Sequence, residues 1–400
     1  MAPDEAGLSE SFDVVVAGGA VMGSSFAYHL AAHPSFSGRI LVLDPDLTYA
    51  GAASALSLSS IRQQYSSPVN IRIGAASLKF LRAAPELLAV DGEMADIAFV
   101  ERGYLYLAGP SGEATLRDNH AVQIREGADI ALLAPDALAG RYPAFNLDGV
   151  ALGSLGLSGE GWFDGYGLTQ AFRRKAKSLD VEYRQGKVMG FEREGGRVTA
   201  ALLADGTRIG AGAVLLAGGA SGLSAMARAL DTPLPVSSRK RCVYVFETPA
   251  QIADCPLVID TSGVYFRPEG AFFLAGVSPE EAHDPECFDY EVDWPLFDET
   301  IWPALAHRVP AFENLRVKRA WAGHYDLNVF DANAIVGRFG AYANAYVAGG
   351  FSGHGIQQSP AVGRALAELI VAGRYETLDL SALGYDRIAA GRPLLERNVI

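Results

Sequence analysis

The sequence predicts an α/β fold (α+β, two-domain), with an antiparallel-sheet domain inserted into a Rossmann-like dinucleotide-binding domain. Three segments predict this fold, because each carries glycines where an apolar strand ends: residues 12–44, 211–222 and 346–372. A glycine turn followed by a helix directs backbone N–H groups and a partial positive charge at an anion such as a phosphate. We therefore expect the three strand ends to meet around one dinucleotide.

The first segment has the pattern of a βαβ unit. Residues 14–16 are typical of a buried strand, residues 20–32 of a helix, and residues 40–44 of a second strand. This order fits the ~30 residues expected of a dinucleotide-binding unit. The segment therefore predicts the start of the Rossmann-like domain.

The turn after the first strand carries an incomplete glycine fingerprint. Gly18 fits the tight turn and Gly23 the close packing of helix on strand, but Ala20 stands where the middle glycine usually lies. Asp44 ends the second strand, where a carboxylate can accept hydrogen bonds from a ribose diol. A βαβ unit without a nucleotide is the weaker alternative.

The central part of the chain mixes helices and strands. Apolar spacing predicts helices over 70–89, 114–128 and 168–179, and a strand over 103–109. Turns at Gly186, Gly195–Gly196 and Asp205–Gly206 separate successive strands between residues 181 and 219. An antiparallel sheet is predicted for residues 239–247, 263–267 and 271–277, as the wall of the second domain.

The last segment predicts a strand, a glycine-rich turn and an amphipathic helix. Ser359 and Pro360 fit the N-cap and first position of that helix, and Gly373 fits its end. Roughly 3.6-residue spacing predicts one buried helix face, formed by Val362, Leu366, Leu369 and Ile370.

The return of the chain to the dinucleotide predicts both the cofactor and the domain boundaries. Three glycine-bearing strand ends favour FAD over NAD, which usually needs only the first. We expect a discontinuous FAD-binding domain and a substrate domain, formed respectively by residues 1–86, 154–238 and 322–400, and by residues 87–153 and 239–321.

Six segments resemble the D-amino-acid oxidase and sarcosine oxidase superfamily of flavoenzymes: residues 48–71, 160–181, 239–246, 260–270, 321–337 and 351–360. Within that superfamily they are most similar to the mitochondrial FAD-dependent oxidoreductases linked to complex I assembly and to their bacterial relatives. The resemblance runs from residue 12 to the C-terminus. It implies oxidoreductase chemistry, but none of the segments identifies a substrate.

The glycine turns and the resemblance together predict the cofactor-binding residues. These residues lie in six parts of the chain, and the helix after Gly355 is expected to point its positive end at the N1–C2 edge of the flavin. The predicted residues are Gly18, Gly19, Ala20, Val21, Met22, Gly23, Asp44, Pro45, Ala53, Ser54, Val188, Ala217, Gly218, Gly219, Gly350, Phe351, Ser352, Gly353, His354, Gly355, Ile356 and Gln357.

The resemblance implies five catalytic candidates: Arg62, Tyr265, Arg267, His354 and Gln357. Arg62 matches an arginine that binds the substrate carboxylate in sarcosine oxidases, where a guanidinium fixes both position and orientation. The alternative is a structural ion pair. Tyr265 is either a site residue or a core aromatic, and His354 either contacts flavin or substrate or is a packed histidine.

Several positions depart from the sarcosine oxidase pattern. Gln357 replaces a lysine that also holds the carboxylate, and Ser59 replaces a second arginine. Leu274 stands where a lysine promotes oxygen reduction, and Gly323 where a cysteine tethers flavin in some relatives. We therefore expect non-covalent FAD that reacts slowly with oxygen. The predicted electron acceptor is either oxygen or a quinone or dye.

The leading hypothesis is oxidation of a C–N bond in an amine or an N-substituted amino acid. Hydride transfer to flavin N5 would give an imine that hydrolyses. One alternative is an FAD-dependent 2-hydroxy-acid dehydrogenase. The other is a flavin-containing assembly or interaction protein with little turnover.

Composition narrows the class of protein. A formal charge of −13 at pH 7 argues against nucleic acid as a partner. No apolar run reaches the ~18–20 residues of a membrane span. Residues 1–11 do not resemble a targeting peptide, and three unpaired-looking cysteines fit a reducing compartment, so we expect a cytoplasmic location. Scattered histidines predict no metal site.

Overall fold

The computed structural model describes residues 10–397. The prediction that residues 1–11 are not a targeting peptide falls almost wholly outside this range. No helix among the described residues is long and apolar enough to cross a bilayer.

Strands and helices alternate in the first part of the chain, and runs of consecutive strands follow. The strands are β1 (Ser11–Ala17), β2 (Ile40–Asp44), β3 (Ser60–Ile61), β4 (Tyr104–Ala108), β5 (Ile130–Leu133), β6 (Leu152–Gly156), β7 (Gly161–Trp162), β8 (Glu182–Gln185), β9 (Val188–Glu194), β10 (Arg197–Leu203), β11 (Arg208–Leu216), β12 (Val236–Glu247), β13 (Leu257–Ile259), β14 (Tyr265–Glu269), β15 (Phe272–Gly276), β16 (Arg316–Asn328), β17 (Ile335–Arg338) and β18 (Ala345–Gly349).

The α-helices are α1 (Val21–Ala31), α2 (Ala53–Leu56), α3 (Pro68–Leu87), α4 (Glu113–Arg125), α5 (Pro135–Arg141), α6 (Gly165–Lys177), α7 (Gly219–Ala229), α8 (Trp294–Leu296), α9 (Trp302–Arg308), α10 (Gly355–Ala372) and α11 (Asp386–Ala389). The predicted central helices are confirmed as α3, α4 and α6, with ends that differ by up to three residues.

The first sheet contains all three glycine-bearing strand ends. Its order is β17-β18-β11-β1-β2-β8, with β10 paired to β11 and β9 paired to β10. The strands β18, β11, β1, β2 and β8 are parallel. Val14 and Val16 pack in the cluster that includes α1 and α10, whereas Val15 and Ala17 pack in the cluster with α7. Burial on both faces explains the continuous apolar run of β1.

The second sheet has the order β16-β12-β15-β14-β13-β4-β6-β5. Its pairs are antiparallel, as predicted, except that β13 and β4 run parallel, with Leu257 opposite Tyr104. These two strands are far apart in sequence, so no hairpin turn forces them to be antiparallel. One face of this sheet buries Tyr244, Phe246 and Phe266.

Helix α10 corrects one prediction about a helix start. Its N-cap is His354 and its first residue is Gly355, so Ser359 and Pro360 lie inside the helix. Pro360 has no N–H to donate to the carbonyl of Ile356, and the Ser359 hydroxyl donates to that oxygen instead, at 2.9 Å. The predicted end is confirmed, since Gly373 is the C-cap with φ of 74°.

Candidate flavin and substrate site

The carboxyl ends of four adjacent parallel strands lie at one edge of the first sheet. In the order β18, β11, β1 and β2, these ends lead into Gly350, Ala217, Gly18 and Asp44. Ligands of open α/β sheets bind outside such carboxyl ends. The structure therefore brings the three predicted glycine segments together.

Gly18 and Gly23 are required by close approaches of the backbone. Gly18 has φ of +108°, and a Cβ added there would lie 2.3 Å from the Ala217 carbonyl oxygen. A Cβ on Gly23 would lie 1.9 Å from the Gly18 carbonyl oxygen, because α1 packs tightly against β1. The Gly19 N–H donates to Asp44 Oδ2 at 2.8 Å, which joins the first turn to the end of β2.

At the N-termini of α1 and α10, no side chain accepts a hydrogen bond from the free backbone N–H groups. The N-cap residues are Ala20 and His354, and neither helix has an acidic residue in its first turn. The helices touch where the Ser25 hydroxyl donates to the Ser359 carbonyl at 2.7 Å. Two uncapped N-termini side by side favour negative charge.

Asp326 holds the glycine loop before α10, a role that the sequence did not predict. Its Oδ2 accepts from the Gly350 N–H at 2.7 Å, and its backbone carbonyl accepts from Ser352 N–H at 2.9 Å. Burial raises the pKa of the Asp326 carboxyl to about 6. The loop takes left-handed backbone at Gly350, Ser352 and Gly353, and a Cβ on Gly353 would meet the Tyr325 ring at 3.0 Å.

The remaining predicted cofactor residues lie around this edge in different settings. Ser54 is buried in α2, whereas Ala53 and Pro45 are exposed. Val188 begins β9 opposite Leu203, and the preceding Gly186 N–H donates to the Asp44 carbonyl at 2.9 Å. Gly219 starts α7 with φ of +54°.

Arg62 lies beside His354, although 292 residues separate them. Its Nη2 is 2.9 Å from His354 Nε2, and its Nη1 donates to the Gln64 carbonyl oxygen. The guanidinium carbon lies 3.9 Å from the Tyr65 ring centroid. No carboxylate within residues 10–397 forms an ion pair with Arg62, in contrast to the buried Arg308–Asp260 and Arg387–Asp331 pairs.

The Arg62 contact defines the state of His354. A guanidinium only donates, so Nε2 accepts and the ring proton lies on Nδ1. Burial, followed by the Arg62 charge, lowers the pKa of His354 to about 3. The Tyr65 ring stands edge-on to the imidazole at 5.2 Å between centroids. His354 is therefore a neutral acceptor that orients Arg62.

Gln357 and Glu160 hold the backbone around Arg62. Gln357 Oε1 accepts a hydrogen bond from the backbone N–H of Arg62 at 3.0 Å. Glu160 accepts from the Gln63 N–H at 2.7 Å and from Gln64 Nε2 at 2.8 Å. Glu160 is fully buried, and burial raises the pKa of its carboxyl to about 7. Sequence reasoning missed Glu160, since one acid before a two-residue strand carries no pattern.

Tyr104 and Tyr106 on β4 form an aromatic wall near Arg62. Their rings stack at 5.7 Å, and the Arg62 guanidinium lies 5.7 Å from the Tyr106 centroid. The sequence offered a signal for them, because tyrosines two apart in a strand share a face. The Tyr65 hydroxyl beside this wall is buried and has no hydrogen-bond partner in residues 10–397.

Tyr265 and Arg267 both lie on β14, but their side chains make different kinds of contact. Tyr265 packs in the cluster of Tyr104 and Trp162. Arg267 is buried, forms an ion pair with Glu269 and donates to the Leu58 carbonyl at 3.1 Å. The structure therefore groups Tyr265 with the tyrosine wall, whereas the Arg267 charge is already paired.

A family model described as FAD dependent oxidoreductase matches residues 13–369. The chain belongs to the DAO family. FAD-dependent oxidoreductase domain-containing protein 1 of Xenopus laevis is 43% identical, over 98% of this chain and 85% of that protein. Sarcosine oxidase subunit beta of Arthrobacter sp is 28% identical, over 90% of this chain and 87% of that protein.

Solved structures show the same fold. L-proline dehydrogenase from P. horikoshii matches with a TM-score of 0.85 and 24% identity, over 97% of this chain and all of that one. Glycine oxidase from Geobacillus kaustophilus matches with a TM-score of 0.80 and 22% identity, over 94% and 98%. DAO-type FAD-binding structures thus share the mixed α/β architecture of this chain.

The DAO family is FAD-dependent, and the residues present fit FAD. The uncapped turns of α1 and α10 suit the phosphates and the flavin edge, and Asp44 suits a ribose. The Tyr49 hydroxyl is buried beside this turn, where a Cβ on Gly19 would lie 2.7 Å from its oxygen. FAD would be held chiefly by residues 18–23, Asp44 and residues 350–357.

The structure shows which residues surround two positions that depart from the sarcosine oxidase pattern. Leu274 is buried among Val243 and Val245, so its setting is apolar. A Cβ on Gly323 would lie 2.8 Å from Leu56 Cβ, because α2 packs directly over β16. Gly323 therefore leaves no room for a tethering side chain without displacing Leu56, and the apolar setting of Leu274 disfavours a charge.

Proposed function

We propose that this protein is an FAD-dependent dehydrogenase or oxidase of an amine or amino acid, with N-substituted amino acids as the substrate class. Bound FAD supplies hydride acceptance from the carbon next to nitrogen, after which water hydrolyses the imine. One observation carries the proposal: Arg62 lies partly buried beside the N-terminus of α10 without a carboxylate partner in residues 10–397.

The residues around Arg62 suit a small carboxylate. A guanidinium and an uncapped helix N-terminus both attract an anion, and low water content strengthens both effects. His354 and the Gln64 carbonyl each accept one guanidinium hydrogen bond, which limits how Arg62 can rotate. The tyrosines Tyr65, Tyr104 and Tyr106 provide an apolar, electron-rich wall for the rest of a cationic or neutral amine.

The names of two relatives support N-substituted substrates. Sarcosine oxidase subunit beta and 4-methylaminobutanoate oxidase (formaldehyde-forming) of Paenarthrobacter nicotinovorans are named for N-methylated amino carboxylates. The latter is 24% identical, over 94% of this chain and 45% of that protein. Arg62 and the tyrosine wall supply the carboxylate and amine contacts that such substrates need.

The 2-hydroxy-acid alternative makes a different demand on the site. A hydroxyl must pass its proton to a base, whereas an ammonium loses its proton to water much more readily. His354 Nε2 is engaged with Arg62, so the imidazole has no free acceptor nitrogen for that task. This contact favours an amine.

Anaerobic substrate screening tests the proposal. Purified holoprotein is mixed with panels of secondary amino acids, primary amino acids, amines and 2-hydroxy acids, and loss of the visible flavin band is followed. We expect bleaching by N-substituted amino acids. Bleaching by hydroxy acids alone would support the first alternative. Absence of bleaching by every panel would support an assembly or binding role.

Three further parts of the proposal concern the substrate domain, the electron acceptor and the location of the protein. We assign residues 87–153 and 239–321 to the substrate domain, because most of the second sheet lies there. We assign the electron acceptor as a quinone or dye in preference to oxygen, because Leu274 and Gln357 are neutral. We place the protein in the cytoplasm, since Cys242, Cys255 and Cys287 form no disulfide.

A further inference from the structure

The C-terminal segment, residues 392–397, contacts the turn that follows Arg62 in the sequence. Glu396 enters the N-terminal turn of α3, where its carboxylate accepts from Ser66 N–H at 2.7 Å, Ser66 Oγ at 2.5 Å and Ser67 N–H at 3.2 Å. Asn70 Nδ2 donates to it at 2.7 Å, and the Ser67 hydroxyl donates as well. One carboxylate thus satisfies five donors of a single turn.

The segment is also fixed just before Glu396. The Leu394 N–H donates to Asp331 Oδ2 at 3.0 Å, and Asn333 Nδ2 donates to the Leu394 carbonyl at 2.6 Å. Asp331 is itself buried in a two-point pair with Arg387, at 2.8 and 3.0 Å. The segment therefore links the turn between β16 and β17 to the start of α3.

The turn that Glu396 holds is the one that shapes Arg62. Ser66 follows Gln64 and Tyr65 directly, and these two residues supply the carbonyl and the ring that contact the guanidinium. Glu160 accepts hydrogen bonds from Gln63 and Gln64 in the same segment. Both carboxylates direct their oxygens to N–H and O–H groups, so neither one pairs with Arg62.

We infer that residues 392–397 form a strap that positions Arg62 for a carboxylate ligand, with Glu396 as the positioning residue. The inference rests on the proposed function, in which Arg62 anchors the substrate carboxylate. Glu396 does not contact the ligand in this arrangement. It keeps the Gln64–Ser67 turn, and through it the guanidinium, in one orientation.

Removal of Glu396 has two effects of opposite sign on an anionic ligand. Loss of the negative charge near Arg62 strengthens anion binding by simple Coulomb attraction. Loss of five hydrogen bonds frees the turn, so the guanidinium samples orientations that cannot bind a carboxylate at two points. The strap predicts that the second effect prevails.

The test compares Glu396→Ala and Glu396→Gln with the control Glu299→Ala, an exposed acid outside the strap. Acetate and benzoate are titrated into FAD-loaded protein and their Kd values are read from changes in the flavin spectrum, with benzamide as a neutral counterpart of benzoate. We expect about tenfold or greater weakening of benzoate in Glu396→Ala, a smaller loss in Glu396→Gln, and an unchanged Kd in Glu299→Ala. Benzamide binding should change little in all three.

Two results would overturn the strap. Tighter or unchanged benzoate binding in Glu396→Ala would show that charge alone matters, or that the turn holds itself. Equal weakening of benzoate and benzamide would indicate a general disturbance of the site. The variant Arg62→Ala distinguishes failure of the proposed function from failure of the strap. If Arg62→Ala leaves benzoate binding unchanged, the proposed function fails. If Arg62→Ala weakens binding and Glu396→Ala does not, only the strap fails.

Discussion

Arg62 Nη2 and His354 Nε2 lie 2.9 Å apart, and this contact joins the segment after β3 to the N-terminus of α10. The cation and the positive end of a helix dipole therefore meet at one point. Each disfavours a proton on the imidazole, and together they favour an anion. A carboxylate bound there would satisfy both groups without any change in the protonation of His354.

Arg62→Ala should weaken carboxylate binding mainly through affinity. Loss of one desolvated, charge-assisted contact removes about 2–3 kcal/mol, which is roughly 30–150-fold in Kd. Benzoate titration of holoprotein measures the change, and Arg174→Ala on the exposed side of α6 is the matched control. Retained FAD with an unchanged Kd would contradict the anchoring role, and loss of FAD would indicate a structural role.

Asp326→Asn should lower affinity for FAD by roughly tenfold. The amide keeps one oxygen for the Gly350 N–H, but it loses the charge and places an NH₂ where the carboxylate had a second acceptor. Quenching of FAD fluorescence on titration into apoprotein measures the Kd without reference to activity. The exposed turn residue Asp205→Asn should leave it unchanged. Full FAD affinity in Asp326→Asn would show that the glycine loop holds its own shape.

The glycine segments were predictable because strand, turn and helix are local patterns. Gly18, Gly23 and Asp44 lie where the spacing placed them, and the parallel strand order then brings their strand ends together. The predicted start of α10 was wrong because Ser359 and Pro360 both favour helix N-termini. Only the structure shows that the Ser359 hydroxyl donates to the carbonyl that the proline cannot reach with an N–H.

The buried carboxylates were not predictable from sequence. Asp326, Glu160 and Glu396 are single acids in unrelated segments, and acids are usually exposed. Their importance comes from the donors they meet across the fold. The family resemblance supplied Arg62 as a candidate, whereas its contact with His354 depends on two segments that only tertiary packing brings together.

FAD should be released from the native protein by heat or acid denaturation. Gly323 carries no nucleophile, and Leu56 occupies the space beside it. After precipitation of the protein, the supernatant should contain one FAD per chain, measured by its absorbance and fluorescence. Flavin that remains with the precipitate would reveal a covalent link elsewhere.

Stability should fall with rising pH because of Glu160. Burial raises the pKa of this carboxyl in the folded state to about 7, from an ordinary value of 4.5. Between these values the folded chain holds a proton that the unfolded chain has lost, so stability is greatest below the lower value and declines up to about pH 7. The variant Glu160→Gln has no such proton.

Thermal unfolding at about pH 5 and pH 8 tests this linkage. The Tm of the wild type minus that of Glu160→Gln should decrease between the two pH values, whereas the exposed control Glu299→Gln should follow the wild type. The Glu160→Gln substitution also disturbs the contact with Gln64, which shifts the Tm at both pH values equally and so does not affect the comparison. A pH-independent difference would mean that Glu160 stays ionised when buried.

The electron acceptor provides the last prediction. Oxygen must take an electron to become superoxide, and a cation near the flavin stabilises the charge that develops. Leu274 lies in an apolar cluster and Gln357 is neutral and bound to the Arg62 backbone, so Arg62 is the main cation beside His354. A carboxylate product that stays on Arg62 would neutralise its charge further.

We therefore expect photoreduced protein to react at least about tenfold more slowly with oxygen than with a quinone dye at equal concentration. Stopped-flow mixing with each acceptor, with and without benzoate, measures both rates. Benzoate should slow the oxygen reaction, because it covers the Arg62 charge. Fast reoxidation by oxygen that benzoate does not affect would place the responsible charge elsewhere and make the protein an oxidase.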